Sequence, residues 1–311
     1  MLHTQKNNPK PKSFLFSVAL VVLSAIPNLG YGQADSLLNS LDANQPPKTE
    51  YVFGAFKSTR VINAQSVENL SEGVLDFRIM HRFGVINNGL YDFFGLDQAD
   101  TRFQFDYGVK DWLQVGIGRS ADPKAVGGYV KWKFLRQSTG KVNMPISVLY
   151  HAYMNVGLDK YTDPNQQNDF VSRLSYVHQL IIGRKFNENF SMELVPSFIH
   201  DNIVDHATDK NDKFSLGFGF RQKISRRVSI NFEYFYTYPT LTLDDVFSNS
   251  LSIGVDIETG GHVFQLHLTN TQSMNENNYM TDRTGNWLKG DIHLGFNVSR
   301  VFTIYRPKMK D

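Results

Sequence analysis

Cysteine is absent from the 311 residues of the chain. Disulfide bonds, thiolate nucleophiles and thiolate metal ligands are therefore excluded, and a chain without thiols suits export into an oxidising compartment. The sequence also lacks the run of about 20 apolar residues that a membrane-spanning helix needs. Its longest predominantly apolar run, Phe14–Ile26, is shorter than that. No helical membrane anchor is predicted for the mature chain.

The run Phe14–Ile26 has the features of a secretory signal peptide. Three lysines precede it, and the small residues Gly30 and Gly32 follow it, as in signal peptides that are removed after export. We predict cleavage before Gln33, so that residues 1–32 form the signal peptide. Its removal leaves 29 basic residues against 30 acidic ones. This balance favours neither nucleic acid nor an acidic polymer as a partner.

From residue 73 onward, apolar and polar residues alternate with a period of two. Such a pattern is typical of β-strands with one polar face and one apolar face. The stretch 228–238 is the clearest example. We predict twelve strands, most of them close to the length of about 9 to 11 residues with which a tilted strand crosses a bilayer. The strands are predicted over residues 73–84, 101–109, 112–119, 127–136, 145–156, 169–185, 190–201, 213–224, 228–238, 248–257, 262–271 and 290–302.

The lengths of the predicted connections alternate, because they are long after odd-numbered strands and mostly tight after even-numbered ones. Outer-membrane barrels have an even number of strands, short periplasmic turns and long outer loops. We therefore predict that both termini lie in the periplasm. The polar residues 33–72 are then a periplasmic segment or a plug, residues 73–302 form the barrel, and residues 303–311 form a periplasmic tail.

The distribution of charge favours a membrane barrel over a soluble β-protein. The apolar face is nearly free of charge and rich in Phe and Tyr, as expected for a face that meets lipid, whereas bulky charges recur on the polar face. Because lipid offers no hydrogen bonds, the sheet must close on itself. The predicted fold class is therefore all-β, a closed antiparallel transmembrane β-barrel with up-and-down order. The side chains predicted to line its lumen are Arg78, Arg82, Arg102, Asp106, Lys131, Lys133, Glu193, Arg221, Glu233 and Asp256.

Together with Asp76, Arg173 and Asp291, the predicted lumen contains seven basic and six acidic residues. A lumen with one dominant sign of charge would indicate ion selectivity, and this one is balanced. Opposite charges could pair across a twelve-stranded barrel and nearly fill it. A wide pore is therefore not expected.

Three stretches resemble a bacterial family of membrane-bound β-barrel proteins: His81–Gly84, Thr259–His267 and Gly295–Phe302. The likeness extends over about residues 51–302. It implies the same barrel architecture, but the family brings no substrate or catalytic residues that could be transferred to this chain.

One cluster has the composition of a metal site. Within seven residues, His200, Asp201, Asp205 and His206 place two imidazoles and two carboxylates at the start of an outer loop, with His200, Asp205 and His206 as the candidate ligands. Imidazole and carboxylate suit a transition metal such as zinc. However, the spacing matches no standard ligand pattern, and a solvated loop collects the same residues. No metal or cofactor is predicted.

A barrel-embedded hydrolase would need a hydroxyl nucleophile beside an oriented histidine. His267 and Thr269 are the nearest candidates, and they fall on the predicted lumen face. Threonine is a poor substitute for serine in this role, so no enzyme activity is predicted.

Besides a barrel-embedded hydrolase, which stays a third alternative, the sequence leaves two functions open. The first is a narrow channel or transporter for small hydrophilic solutes. The second is a structural or docking barrel that binds a partner through the outer loops 85–100 and 272–289 or through the periplasmic segment. The expected partners are outer-membrane lipid and, during biogenesis, periplasmic chaperones and the barrel-assembly machinery. The oligomeric state is left open.

Overall fold

A computed structural model describes residues 48–159, 169–204, 209–238, 249–281 and 285–307. The predicted signal peptide, residues 1–32, lies outside the described residues. No helix within the described part of the chain is long and apolar enough to span a membrane.

The described residues contain fourteen strands and a few short helices. The strands are β1 (Thr49–Tyr51), β2 (Val74–Val85), β3 (Ala99–Lys110), β4 (Leu113–Ser120), β5 (Ala125–Leu135), β6 (Ser138–Gly140), β7 (Ser147–Gly157), β8 (Leu174–Lys185), β9 (Phe190–Asp201), β10 (Asp212–Lys223), β11 (Val228–Tyr238), β12 (Ser250–Thr259), β13 (His262–Thr269) and β14 (His293–Thr303). The helices are α1 (Asn278–Thr281) and the 3₁₀ segments Ile86–Gly95, Val171–Arg173 and Trp287–Lys289.

Twelve of these strands form one closed barrel, and each pairs with its neighbours along the chain. The barrel closes where β14 lies antiparallel to β2, with Val298 opposite Ile79. The two remaining strands, β1 and β6, form a separate small sheet, so Tyr51 is not part of the wall. The prediction of a closed antiparallel twelve-stranded meander is confirmed.

The two ends of the barrel differ in their connections. At one end, here called the terminal end, β2 begins, β14 finishes, and connections such as 111–112 and 260–261 are tight. At the opposite end, here called the loop end, lie longer connections such as 86–98 and 270–292. The β5–β7 connection at the terminal end is an exception, since it contains β6. Which end faces the periplasm stays a prediction.

The side chains of the wall alternate between two environments. On β10, Phe214 and Leu216 are 58% and 47% exposed, whereas Ser215 between them is 4% exposed. The outward face is therefore the apolar one, as lipid contact requires. The inward face is polar yet almost inaccessible to water, so the lumen must be filled.

Two predicted strands begin three or more residues before the observed ones. Strand β8 begins at Leu174, and Arg173 belongs to the preceding 3₁₀ segment. Strand β14 begins at His293, which leaves Asp291 in the loop. Arg173 and Asp291 are therefore not on wall strands.

Candidate functional site

Two segments of the chain fill the barrel. The N-terminal insert, residues 55–70, precedes β2, and the loop insert, residues 271–281, belongs to the β13–β14 connection. Both are deeply buried: Ile62 in the first and Glu276 in the second are 0% exposed. Their hydrogen bonds reach wall strands on opposite sides of the barrel, which places both inserts in the lumen.

The N-terminal insert enters and leaves as a hairpin. The amide of Val61 donates to the carbonyl of Ala64 over 2.9 Å, and the amide of Ser66 donates to the carbonyl of Thr59 over 2.8 Å. These two bonds close a tight turn at residues 61–64 and align the segments on either side of it. The turn therefore forms the tip of the insert.

Glu233 of β11 holds this tip through its carboxylate. The backbone amides of Ile62, Asn63 and Ala64 donate to it over 3.2, 3.0 and 3.0 Å. Successive amides that converge on one anion form a nest, an arrangement that favours negative charge. Because hydrogen bonds to a charged group are the strong ones, Glu233 is a principal anchor of the insert.

The side chain of Asn63 completes the contact at the tip. Its Nδ2 donates to Glu233 over 2.7 Å and to Ser252 over 3.1 Å, while its Oδ1 accepts from Arg82 over 2.7 Å. A neutral amide can donate and accept at once, which a carboxylate cannot do. Asn63 therefore bridges an anionic and a cationic wall residue.

The inserts meet at a buried ion pair. Arg60 of the N-terminal insert donates to Glu276 of the loop insert over 2.6 Å, and both side chains are 0% exposed. Gln65 donates to the same carboxylate over 2.9 Å. Burial raises the pKa of Glu276, but the guanidinium groups of Arg60 and Arg102 outweigh it and hold this pKa below its ordinary value. The pair is thus ionised and ties the two inserts together.

The loop insert is also fixed to the wall. Asn275 accepts from Arg102 and from the Ser120 hydroxyl, and the hydroxyl of Thr237 donates to the carbonyl of Met280 over 2.9 Å. The ring of Tyr279 meets that of Phe235 edge-on, with centroids 5.2 Å apart. The outer loop predicted over 272–289 is therefore only partly a surface loop, since its first half lies inside the barrel.

Part of the lumen wall is apolar. Strands β7, β8 and β9 direct apolar side chains inward, and these pack in one cluster with Val67 of the N-terminal insert and Met280 of the loop insert. The inward residues of this patch, here called the apolar wall patch, are Leu149, Val177, Ile181, Val195 and Ile199. Charge alone does not describe this lumen, because one side of it offers contacts to apolar side chains.

Residues 56–302 match the family described as Membrane bound beta barrel domain (DUF5777). The chain belongs to this family. It is therefore a membrane-bound β-barrel, as the resemblance of the three sequence stretches implied. No curated protein sequence matches the chain.

Solved structures with a similar outline are porins and outer-membrane channels. The NanC porin is 8% identical with a TM-score of 0.47, over 74% of this chain and 98% of that chain. An outer membrane channel from Pseudomonas putida F1 is 11% identical with a TM-score of 0.46, over 76% of this chain and 98% of that chain. The sequence identities and TM-scores are too low for the function of these proteins to be transferred to this chain.

The ten side chains predicted to line the lumen all lie on strands of the family barrel, and nine of them are buried. The half-buried one is Lys133, whose Nζ lies 4.0 Å from Glu68 of the N-terminal insert. The sequence had suggested that opposite charges pair with each other across the lumen. Instead, many of these charged side chains contact the inserts. One wall pair, Arg78 with Asp76 over 2.8 Å, lies on a single strand.

The metal cluster suggested by the sequence is only partly described. Asp205 and His206 lie outside the described residues. Both ring nitrogens of His200 are engaged, by Asp212 over 2.6 Å and by Asn202 over 2.8 Å. Within the described ranges, no group of three or more His, Cys, Asp or Glu residues is arranged to hold a metal ion.

His267 and Thr269 do not form a catalytic pair within the described residues. The hydroxyl of Thr269 accepts from Ser252 over 2.9 Å and from the amide of Thr271 over 3.2 Å. Neither ring nitrogen of His267 has a hydrogen-bond partner among the described residues. The structure therefore gives no geometry for hydroxyl activation at this place.

Proposed function

We propose that this barrel is an outer-membrane channel for small hydrophilic solutes whose lumen is blocked by the N-terminal insert and conducts when that insert leaves. The observation that supports this most is the chemistry of the wall. Charged side chains such as Arg82, Lys131, Glu193 and Glu233 are buried beneath a segment that continues directly into the wall strand β2.

A permanently filled barrel would not need these charges. Burying a charge is costly unless it is paired, and apolar residues of similar volume often fill the same space at equal or lower cost. A wall that must face water part of the time has a reason to be charged. The ionisable lumen therefore favours an insert that moves over one that is a fixed core.

The contacts of the N-terminal insert allow it to leave the lumen. It is a single hairpin tied to the wall mainly by hydrogen bonds, and a chain without cysteine cannot fasten it covalently. A cleft of about 190 Å³ already lies between the insert and the wall, lined by Thr59, Asp76 and Arg78 among others. Water entering there would compete for the same hydrogen bonds.

The outer membrane is the proposed location, with both termini in the periplasm. The signal-like N-terminus and the tight connections at the terminal end support this orientation. Lipid contact on the apolar face, and the help of periplasmic chaperones and the barrel-assembly machinery during biogenesis, belong to the same proposal. A docking function through loop 272–289 is not favoured, because Met274, Glu276 and Met280 of that loop are 0% exposed.

Conductance of the full-length protein in a planar bilayer tests the channel. We expect a largely silent trace without denaturant and stepwise conductance in several molar urea. The reason is that denaturant unfolds segments of low local stability, such as the insert, before it unfolds the cooperative wall of the barrel. The steps should vanish when the urea is washed out. Heat-modifiable migration on a gel shows that the barrel stays intact. An intact barrel that remains silent at every urea concentration would contradict the proposal.

A further inference from the structure

The wall recognises the main chain of the N-terminal insert on its N–H side. Five backbone amides of the insert donate to wall side chains: three to Glu233, as described, one from Val67 to Glu193 over 3.0 Å, and one from Leu70 to Gln114 over 2.8 Å. The acceptors lie on β11, β9 and β4. Acceptors for peptide N–H groups are thus distributed around the lumen.

The wall also recognises the carbonyl side of the same main chain. Lys131 donates to the carbonyls of Thr59 over 3.2 Å and of Glu68 over 2.6 Å. Three other wall side chains each donate to one further insert carbonyl: Gln265 to Val61 over 2.9 Å, Asn297 to Ile62 over 3.1 Å and Arg221 to Ala55 over 3.4 Å. Five carbonyls are therefore bound in addition to the five amides.

Side chains of the insert meet a second kind of surface. Val67 packs on the apolar wall patch, and Gly183 of β8 leaves the room for it, since a Cβ built at Gly183 would lie 2.8 Å from the Cβ of Val67. The lumen thus pairs polar groups for a main chain with an apolar patch for side chains. Both features are parts of the wall and remain there when the insert leaves.

From this complementarity we infer that the solutes of the channel are short peptides, whose main chain takes the wall contacts that the insert occupies in the blocked state. This inference rests on the proposed channel function. The N-terminal insert is then a tethered competitor at the peptide site. Oligosaccharides could use the same polar groups through their hydroxyls, but they would leave Leu149, Ile181 and Val195 without an apolar partner.

The inference is tested by measuring whether a peptide blocks the current through an open channel. The full-length Glu276→Lys variant, in which both inserts are destabilised, provides the open channel, and Asn63→Asp provides a second one if the first does not fold. The probes are the capped tetrapeptide Val-Ile-Asn-Ala, copied from the insert tip, and a neutral tetrasaccharide of similar size. We expect the peptide to interrupt the current at concentrations at which the sugar has no effect.

A pair of wall substitutions localises the site. Gln265→Ala removes a donor to a main-chain carbonyl. It should raise the peptide concentration needed for block by about tenfold, which corresponds to the free energy of one good hydrogen bond. Gln104→Ala is the matched control, because Gln104 is equally buried but bonds to Arg102 and Asp106. It should leave the block unchanged.

The outcomes separate the inference from the proposed function. Equal or stronger block by the sugar would overturn the peptide class, and so would an open channel that the peptide does not affect. Equal effects of Gln265→Ala and Gln104→Ala would overturn the site. If neither opened variant conducts although both migrate as folded barrels, the channel function itself fails, and the peptide inference falls with it.

Discussion

Replacing Glu276 by lysine is expected to turn the blocked barrel into a conducting one. The new cation would lie against Arg60 and Arg102, where the carboxylate now pairs with Arg60 over 2.6 Å. Breaking a buried ion pair costs roughly 3 to 5 kcal/mol. That shifts the ratio of conducting to blocked molecules by roughly 100- to 5,000-fold. The measurement is the open probability in single-channel recordings.

Glu276→Gln is the matched control for this prediction. The glutamine has the same shape, and its amide oxygen can still accept from Arg60 and Gln65, so the two inserts stay joined without repulsion. Because it leaves Arg60 without its counter-charge but adds no second cation, we expect its open probability to rise much less than that of the lysine variant. If lysine at position 276 opens the channel no more than glutamine does, repulsion from Arg60 and Arg102 does not displace the inserts.

Asn63→Asp is expected to open the channel from the tip of the N-terminal insert. The substitution keeps the shape of the side chain but places a carboxylate where Nδ2 now lies 2.7 Å from Glu233. A charge-assisted hydrogen bond is replaced by repulsion between two buried carboxylates, a loss of about 3 kcal/mol. The open probability should rise by roughly 100-fold.

The same substitution should be reversed by Glu233→Gln. In the double variant, the side-chain amide introduced at position 233 can donate to the carboxylate introduced at position 63, and its oxygen can still accept from the turn amides. The trace should therefore become largely silent again, while heat-modifiable migration on a gel shows that the double variant still folds into a barrel. Equal conductance of Asn63→Asp with and without Glu233→Gln would contradict the role of this contact.

The wall of the barrel could be predicted from the sequence because its pattern is local and repetitive. Alternation along stretches such as 213–224 and 228–238 specifies which face meets lipid, and the tight turns specify the order of strands. The ends of strands were less certain, as Arg173 and Asp291 show. Polar residues there continue the alternating pattern beyond the last backbone hydrogen bond between neighbouring strands.

The filling of the lumen could be anticipated only in outline. Residues 33–72 were considered as a plug, but nothing local in Arg60 or Asn63 specifies their partners, which are 216 and 170 residues away in the chain. Such contacts depend on the closed barrel, which brings distant segments together. The loop insert was missed entirely, since polar residues such as Asn275 and Glu276 are also typical of a surface loop.

The apolar wall patch was also missed, although the sequence contains a signal for it. Leu180, Ile181 and Ile182 are consecutive and apolar, so both faces of β8 are apolar there. A strand between lipid and water would keep its inward position polar. A run of apolar residues within an alternating strand therefore indicates a lumen that something covers.

A reversible tether between the N-terminal insert and the wall tests most directly whether the insert blocks the lumen. Because the chain has no cysteine, Val67→Cys and Gly183→Cys can be added to Glu276→Lys as a unique pair. A Cβ built at Gly183 would lie 2.8 Å from the Cβ of Val67, and a shift of about 1 Å reaches the roughly 3.8 Å of a disulfide. We predict a silent trace in the oxidised protein and stepwise conductance after reduction with dithiothreitol. Equal conductance in both states, with the disulfide verified on a gel, would show that the insert does not block the lumen.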